Sequence, residues 1–330
     1  MYPGRGEYDS DSAFLEAEIS HLKDPPYGHT DNSTIQGGMQ LNHRIQDFII
    51  GTNVLTAGLE YIVDDIVDSI PHYNYGTNQK TTNKAAFLQS DWQISRAFTF
   101  LAGVRADKHN LLDRAIFSPR LSLLYRLRNY TQFRLTWGTG FRAPEAFDAD
   151  MHIAFAGGGV SRISLDVNLK EERSNSLSGS VNFDMPQEKY IFGFTLEGFY
   201  TRLTDAFYLQ PVGADDLGEQ FVKRNGPGAT VKGVTLELRA NYNKMAQLEA
   251  GFTLQSSLHA EAVENIDGLE AKREFLRSPN DYGYMVLMLF PAPKINISVN
   301  SVYTGSMLQA KFSPDESMAS NEYRTASSYT

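Results

Sequence analysis

Cysteine is absent from the 330 residues, which rules out a disulfide framework, a thiolate metal site and a cysteine nucleophile. Basic residues are in the minority, 30 Lys and Arg against 39 Asp and Glu. The net charge of -9 argues against a nucleic-acid binder, which normally presents a basic face. No apolar run reaches the length of a membrane-spanning helix, and the opening Met1–Asp11 has no basic region followed by an apolar core, so it does not read as a signal peptide. Neither absence bears on a β-barrel, whose alternating strands dilute the hydrophobic signal.

Catalytic patterns are missing as well. Gly157-Gly158-Gly159 is not followed by Lys and Ser or Thr, so it is no phosphate loop, and Gly226-Pro227-Gly228 precedes a strand pattern rather than a helix. There is no H-E-x-x-H or G-x-S-x-G. Of the seven histidines, His43, His152 and His259 fall near strand ends or in a loop without a patterned Ser or Asp neighbour. The expectation is a protein that is not an enzyme and needs no cofactor. Asp148, Asp150 and His152 carry metal-ligating chemistry, but the group reads as a solvated loop rather than a metal site. Asp64, Asp65 and Asp68, with Asp215 and Asp216, read as solvated external acid.

What is present is period-two alternation. In Asn129–Asp148, Tyr130, Gln132, Arg134, Thr136, Gly138 and Gly140 share one face, and Thr131, Phe133, Leu135, Trp137, Thr139 and Phe141 the other. A strand's side chains alternate between faces, so this one is polar and small on one side and apolar on the other. It stops at Pro144, which cannot donate a ladder hydrogen bond. The same pattern recurs over 34–46, 51–63, 84–95, 98–107, 117–127, 130–142, 173–184, 190–202, 231–242, 247–257, 281–290 and 294–304. That is about twelve strands of the length needed to cross a bilayer obliquely.

The connections alternate in length. Short turns fall near Asp47, Ser95, Arg128, Pro186, Asn243 and Pro291; long connections fall at 64–83, 108–116, 143–172, 203–230, 258–280 and after 305. Short periplasmic turns and long extracellular loops in this order describe an all-β, antiparallel transmembrane β-barrel segment in the outer membrane, with outer-membrane lipid against its apolar face. A soluble β-sandwich does not require every second loop to be long. Residues 1–32 read as an irregular start, 33–307 as the strands and 308–330 as a loop. Tyr125, Tyr130, Trp137, Phe141, Tyr190, Tyr200, Tyr242, Tyr282 and Tyr303, near strand ends, are candidates for aromatic girdles. Glu60, Arg105, Arg120, Gln132, Arg134, Glu197, Glu237, Arg239 and Glu249 should face the lumen. On the loops, Tyr73, Tyr75, His152, Phe155, Arg162 and Tyr208 are candidates for ligand contact.

The stretch Trp137-Gly138-Thr139-Gly140-Phe141-Arg142-Ala143-Pro144-Glu145 resembles a segment of TonB-dependent outer-membrane receptors, with Trp137, Gly140, Phe141, Arg142 and Pro144 carrying the match. Gly58–Tyr61, Gly103–Asp107, Phe199–Thr201, Val231–Val234 and Tyr303–Met307 are similar to further strand motifs of that family, in order, over roughly Asn32 to Met307. The likeness is greatest to receptors of Bacteroidetes. It implies a plugged importer of a scarce nutrient such as a siderophore, haem, cobalamin or an oligosaccharide, with the lumen-facing residues set against the plug. The family's plug domain, through which the TonB energising complex acts, has no counterpart in this sequence, nor do the closing strands. About twelve strands of a 22-stranded barrel would be an inner slice, so a partial barrel is the expectation. A passive porin-like channel and a soluble β-rich binding module stay open as alternatives.

Overall fold

The computed structural model describes residues 28–71, 75–127, 130–145, 162–215, 218–264, 269–311 and 321–330. In chain order the strands are β1 (His29–Ile45), β2 (Thr52–Ile70), β3 (Tyr75–Gln93), β4 (Phe98–His109), β5 (Ile116–Leu127) and β6 (Thr131–Arg142). Then come β7 (Arg162–Leu165), β8 (Glu172–Pro186), β9 (Tyr190–Thr204), β10 (Phe207–Asp215), β11 (Gly218–Asn225), β12 (Ala229–Tyr242) and β13 (Ala246–Val263). The last are β14 (Lys272–Glu274), β15 (Asp281–Ala292), β16 (Ile295–Thr304), β17 (Leu308–Lys311), β18 (Asn321–Arg324) and β19 (Ser328–Tyr329). Among the described residues, twelve strands of 10 to 19 residues pair antiparallel, each with the next long strand in the chain. They form one sheet ordered β1-β2-β3-β4-β5-β6-β8-β9-β12-β13-β15-β16-β19, with β14 on β13.

Register carries the two faces across the sheet. Leu121 stands opposite Trp137, Trp137 opposite Leu177, Leu177 opposite Tyr200 and Tyr200 opposite Lys232. One row lower, Leu123, Leu135, Gly179, Gly198, Val234 and Leu254 align. Residues paired in register point to the same face, so these rows build a continuous apolar surface. Its large side chains, Leu88, Leu121, Leu135, Leu196 and Leu254 among them, are exposed. A water-soluble monomer does not leave a patch of this extent uncovered. The other face is polar, with cross-strand pairs Ser122–Thr136 and Ser176–Thr201, each at 2.9 Å, and Thr235–Thr253 at 3.0 Å. Several of its larger rings cover glycines: Phe87 stands opposite Gly58, Phe199 opposite Gly233 and Tyr284 opposite Gly251. A Cβ at Gly233 would lie 2.4 Å from the Leu254 carbonyl oxygen, so this close approach requires glycine.

The short turns hold the register. Asn243 and Lys244 both take positive φ, 48° and 58°, and Met245 donates to the Tyr242 carbonyl at 2.8 Å. Positive φ at both central residues of this turn suits the strand twist, and Tyr242 pairs with Ala246 across the three connecting residues. Aromatic pairs gather on the apolar face at this end: Phe98 stacks on Tyr125 at 4.6 Å, Tyr125 on Phe133 at 6.2 Å, and Phe183 packs on Phe194 at 5.6 Å.

Several expectations need correction. The connection 64–83 is mostly strand, because β2 and β3 continue to Ile70 and from Tyr75. Their polar ends, including Asp64, Asp65 and Thr77, lack apolar alternation but keep the ladder. The connection 203–230 contains the β10–β11 hairpin, and β13 extends into 258–280. Strand β1 begins at His29, inside the expected irregular start, and 308–330 contains β17, β18 and β19 rather than only loop. Tyr282 faces the polar side, opposite Thr253 and Thr304, because β15 has large residues on both faces. Asp68 is not solvated: it is 4% exposed and accepts a hydrogen bond from Thr30 Oγ1 at 2.5 Å.

Candidate lumen wall and rim

All nine expected lumen residues lie on the polar face by register. Arg105 stands opposite Phe87 and Ser118, Arg120 opposite Gly138, Gln132 opposite Asn182, and Arg134 opposite Ser180. Glu197 stands opposite Ser180 and Thr235, Glu237 opposite Thr195, and Arg239 opposite Glu249. Glu60 stands opposite Ala85, which stands opposite Asp107. Two ion-pair clusters form. Arg105 Nη2 lies 2.8 Å from Glu60 Oε1, and its Nε donates to Asp107 at 3.0 Å. Asp107 is 3% exposed and also accepts from Asn83 Nδ2 at 2.8 Å, so the buried carboxylate is paired and hydrogen-bonded, as burial demands. Arg239 lies 3.1 Å from Asp184, donates to Thr195 Oγ1 at 3.0 Å and stands 3.8 Å from Glu237. Asp107 and Asp184 belong to this wall but were not singled out from sequence. Asp107 lies two residues from Arg105, and its alternation opposite Val104 already sets it on the polar face. Arg120, Arg134, Glu197 and Glu249 have no partner among the described residues.

At the other end of β6 the segment Trp137–Glu145 ties the wall to a small outer sheet. Strands β10 and β11 pair antiparallel, and β7 joins β11 in parallel, so the β6–β8 and β9–β12 connections fold together. Trp137 Nε1 donates to Asn175 Oδ1 at 3.0 Å. Gly140 leaves room for Ser174, whose Oγ a Cβ would approach to 3.0 Å. Phe141 stands opposite Arg173 on the apolar face. The Arg142 guanidinium lies 4.8 Å from the Phe207 ring centre and 3.8 Å from Glu172. Lys223, 3% exposed, approaches the same ring at 4.7 Å and donates to the Glu145 carbonyl at 2.9 Å. Glu172 accepts from the Phe207 backbone N–H at 2.9 Å. Each cation within reach of the ring is attracted by its quadrupole. Ala143 and Pro144 are buried, and Glu145 reaches His109 Nε2 at 3.3 Å.

Two carboxylates on this rim are held ionised. Burial opposes ionisation of Glu171, but hydrogen bonds from Arg173 and Arg114 outweigh it and keep its carboxyl below the usual range. The Asn168 backbone N–H, followed by the Arg224 guanidinium, does the same for Asp166. His259 is pushed down by burial and stacks on Phe275 at 4.1 Å.

Of the loop candidates, Tyr73, His152 and Phe155 lie outside the described residues, as do Asp148 and Asp150. Tyr75 begins β3, and Arg162 begins β7 opposite Gln220. Tyr208 is on β10 opposite Arg224, its ring against Gly226. Arg162 and Tyr208 therefore share the outer sheet, while Tyr75 is at the tip of the β2–β3 hairpin. Among the described residues no cluster of three His, Cys, Asp or Glu could hold a metal ion.

A long meander with one apolar face, one polar ion-paired face, short turns at one end and a folded rim at the other is a transmembrane β-barrel wall. The sequence profile of the TonB-dependent receptor-like β-barrel family matches residues 2–329. The chain belongs to that family, whose members are receptors and transporters of the bacterial outer membrane. Solved structures agree in fold. The siderophore receptor PirA from Pseudomonas aeruginosa superposes with a TM-score of 0.65 at 15% identity, covering 87% of this chain and 52% of that one. The ferric-catecholate import receptor Fiu from E. coli K12 gives 0.66 at 12%, covering 91% and 47%. The FrpB iron transporter from Neisseria meningitidis gives 0.62 at 15%, covering 92% and 47%. The chain thus spans about half the length of these structures. No curated protein matches it.

Proposed function

We propose that this chain forms part of the barrel wall of an energised outer-membrane importer that takes up a scarce nutrient. The observation that carries this reading is the polar face: Arg120, Arg134, Glu197 and Glu249 stand there without partners, beside the Arg105 and Arg239 clusters. Charges at membrane depth require water or a polar partner. A plug domain inside the barrel supplies such partners, and the nine wall residues dock it. The TonB energising complex acts on that plug, and ligand is captured at the rim by the outer sheet, with Tyr75, Arg162 and Tyr208 among the contacts.

Ferric siderophores are the first ligands to assay, ahead of haem, cobalamin and oligosaccharides, because structural neighbours are described as siderophore receptors and iron transporters. The test is uptake of radiolabelled ligand by cells displaying the receptor that carries this wall, with and without a protonophore. Saturable uptake abolished by the protonophore is expected. Flux that persists without a proton gradient, together with steady ion conductance, would replace the importer with a passive channel.

A further inference from the structure

The chain as a whole is acidic, yet the apolar faces of β3, β4, β5, β6, β8, β9 and β12 carry no Asp or Glu at all. The charges they do carry are cations: Lys84, Lys108, Arg173, Arg202 and Lys232, with Lys80 as far along its strand as Arg173 and paired to Asp65 of β2. Counted from the short-turn end, those five lie nine to thirteen residues along their strands. A strand crosses the hydrocarbon in roughly 9–11 residues, so they form a basic collar at the far interface, directly above the apolar belt.

Part of this collar frames a groove of about 690 Å³, lined by Phe117, Pro119, Thr139, Asn175, Tyr200 and Arg202, with Arg173 at its edge. Lys232 stands beside Tyr200 in register. Arg173 is engaged by Glu171, whereas Arg202 and Lys232 are exposed and have no partner among the described residues. Trp137 lies one register row below Arg202 on the same face, at the level where amphipathic rings mark a membrane interface.

We propose that this groove binds the phosphorylated headgroup of an outer-leaflet lipid. Arg202 and Lys232 donate to the phosphate, and the acyl chains lie on the belt below. Three observations select this occupant: the position at the interface, the one-signed charge, and the apolar surface that continues from the groove. A guanidinium matches phosphate geometry with paired N–H donors, and juxtamembrane cations attract anionic lipid. The proposal rests on the membrane placement of the wall and is independent of the import reading, so either can fail alone.

The test uses the receptor that carries this wall, folded in detergent, and native mass spectrometry to count retained lipid. Three probes are compared: a doubly phosphorylated acylated disaccharide, its dephosphorylated form, and inorganic phosphate as competitor. The wild type is expected to retain the phosphorylated lipid at least tenfold better than the dephosphorylated one. The Arg202→Gln/Lys232→Gln pair should reduce that preference to under twofold, while Arg202→Lys keeps most of it and Lys244→Gln, at the short-turn end, leaves it unchanged. Circular dichroism confirms that each variant retains its strands; both target side chains are exposed, so folding is not at stake. Equal retention of the two lipids, or equal loss in Lys244→Gln, would overturn the proposal. Displacement by millimolar inorganic phosphate would reassign the site to free phosphate and overturn the lipid assignment.

Discussion

Replacing Leu135 by Arg tests the facing of the wall at a point where the structure sets the size of the effect. Leu135 lies on the apolar face, 53% exposed, opposite Leu123 on one side and Gly179 on the other. It borders a shallow groove of about 460 Å³ where Gly179 and Gly198 face each other between Leu123, Phe133, Val181, Leu196 and Val234. No carboxylate lines that groove, so an introduced guanidinium finds no counter-ion. Leu135 is four residues along β6 from Thr131. At ~3.3 Å per residue and a tilt of ~45°, that places it about 9 Å above the short-turn interface, close to the middle of an apolar band ~25 Å tall. An arginine there costs roughly 2–4 kcal/mol, and partial snorkelling puts the expectation at about 2–3 kcal/mol. Arg134→Leu, one residue away on the polar face, should change stability by less than about 1 kcal/mol. Urea titration in phospholipid vesicles, followed by the fluorescence of Trp92 and Trp137, measures both. A neutral Leu135→Arg with a costly Arg134→Leu would invert the assignment of faces, and two neutral outcomes would remove this segment from the bilayer.

Glycine positions should differ sharply in what they tolerate. A Cβ at Gly198 meets nothing within 4 Å, so Gly198→Ala should be neutral or stabilise by about 0.4–1 kcal/mol. Gly233→Ala, against the Leu254 carbonyl, should cost about 1–3 kcal/mol in the same titration; equal effects would refute the packing described. Lys223→Met removes the bond to the Glu145 carbonyl and one cation from Phe207, so limited proteolysis should cut the β10–β11 hairpin faster while the long strands stay protected; an unchanged digest would contradict the rim contacts. Glu171 has a folded-state pKa held below its unfolded value, so its contribution to stability is full above the ordinary glutamate range and is lost as pH falls through the folded value. The thermal midpoint should therefore drop on acidification below about pH 4 by less in Glu171→Gln than in the wild type, and identical acid profiles would exclude the role assigned to this carboxylate.

The sequence made the wall legible where one face of a strand is apolar and the other polar. In β6 from Gln132 to Trp137 and in β8 from Ser176 to Phe183 no residue breaks that rule, so position and facing could both be read. In β15 the rule fails, because Tyr282, Tyr284, Val286 and Met288 on the polar face are as large and apolar as Met285, Leu287 and Leu289 on the other. There only register against Thr253 and Glu249 assigns the sides. The outer ends of β2 and β3 were hidden for the opposite reason, since beyond the membrane neither face needs to be apolar. The β10–β11 hairpin was hidden by Pro211 and Gly213, which read as loop but mark a register shift inside a paired strand. At the site, the placing of the nine charged and amide side chains on the polar face was readable from parity alone. The approach of Arg142 and Lys223 to Phe207 was not, because it joins residues 65 and 16 positions apart through two separate connections.

The most direct test of the central claim uses the absence of cysteine, which makes any introduced thiol unique. Single cysteines at each position from Thr131 to Phe141, spin-labelled in vesicles, report collision with lipid-soluble oxygen and with a water-soluble nickel chelate. Oxygen accessibility should be high at Phe133, Leu135 and Trp137 and low at Gln132, Arg134 and Thr136, giving a period of two across β6. Uniform accessibility along the strand, or the reverse alternation, would contradict a barrel wall with its apolar face in lipid.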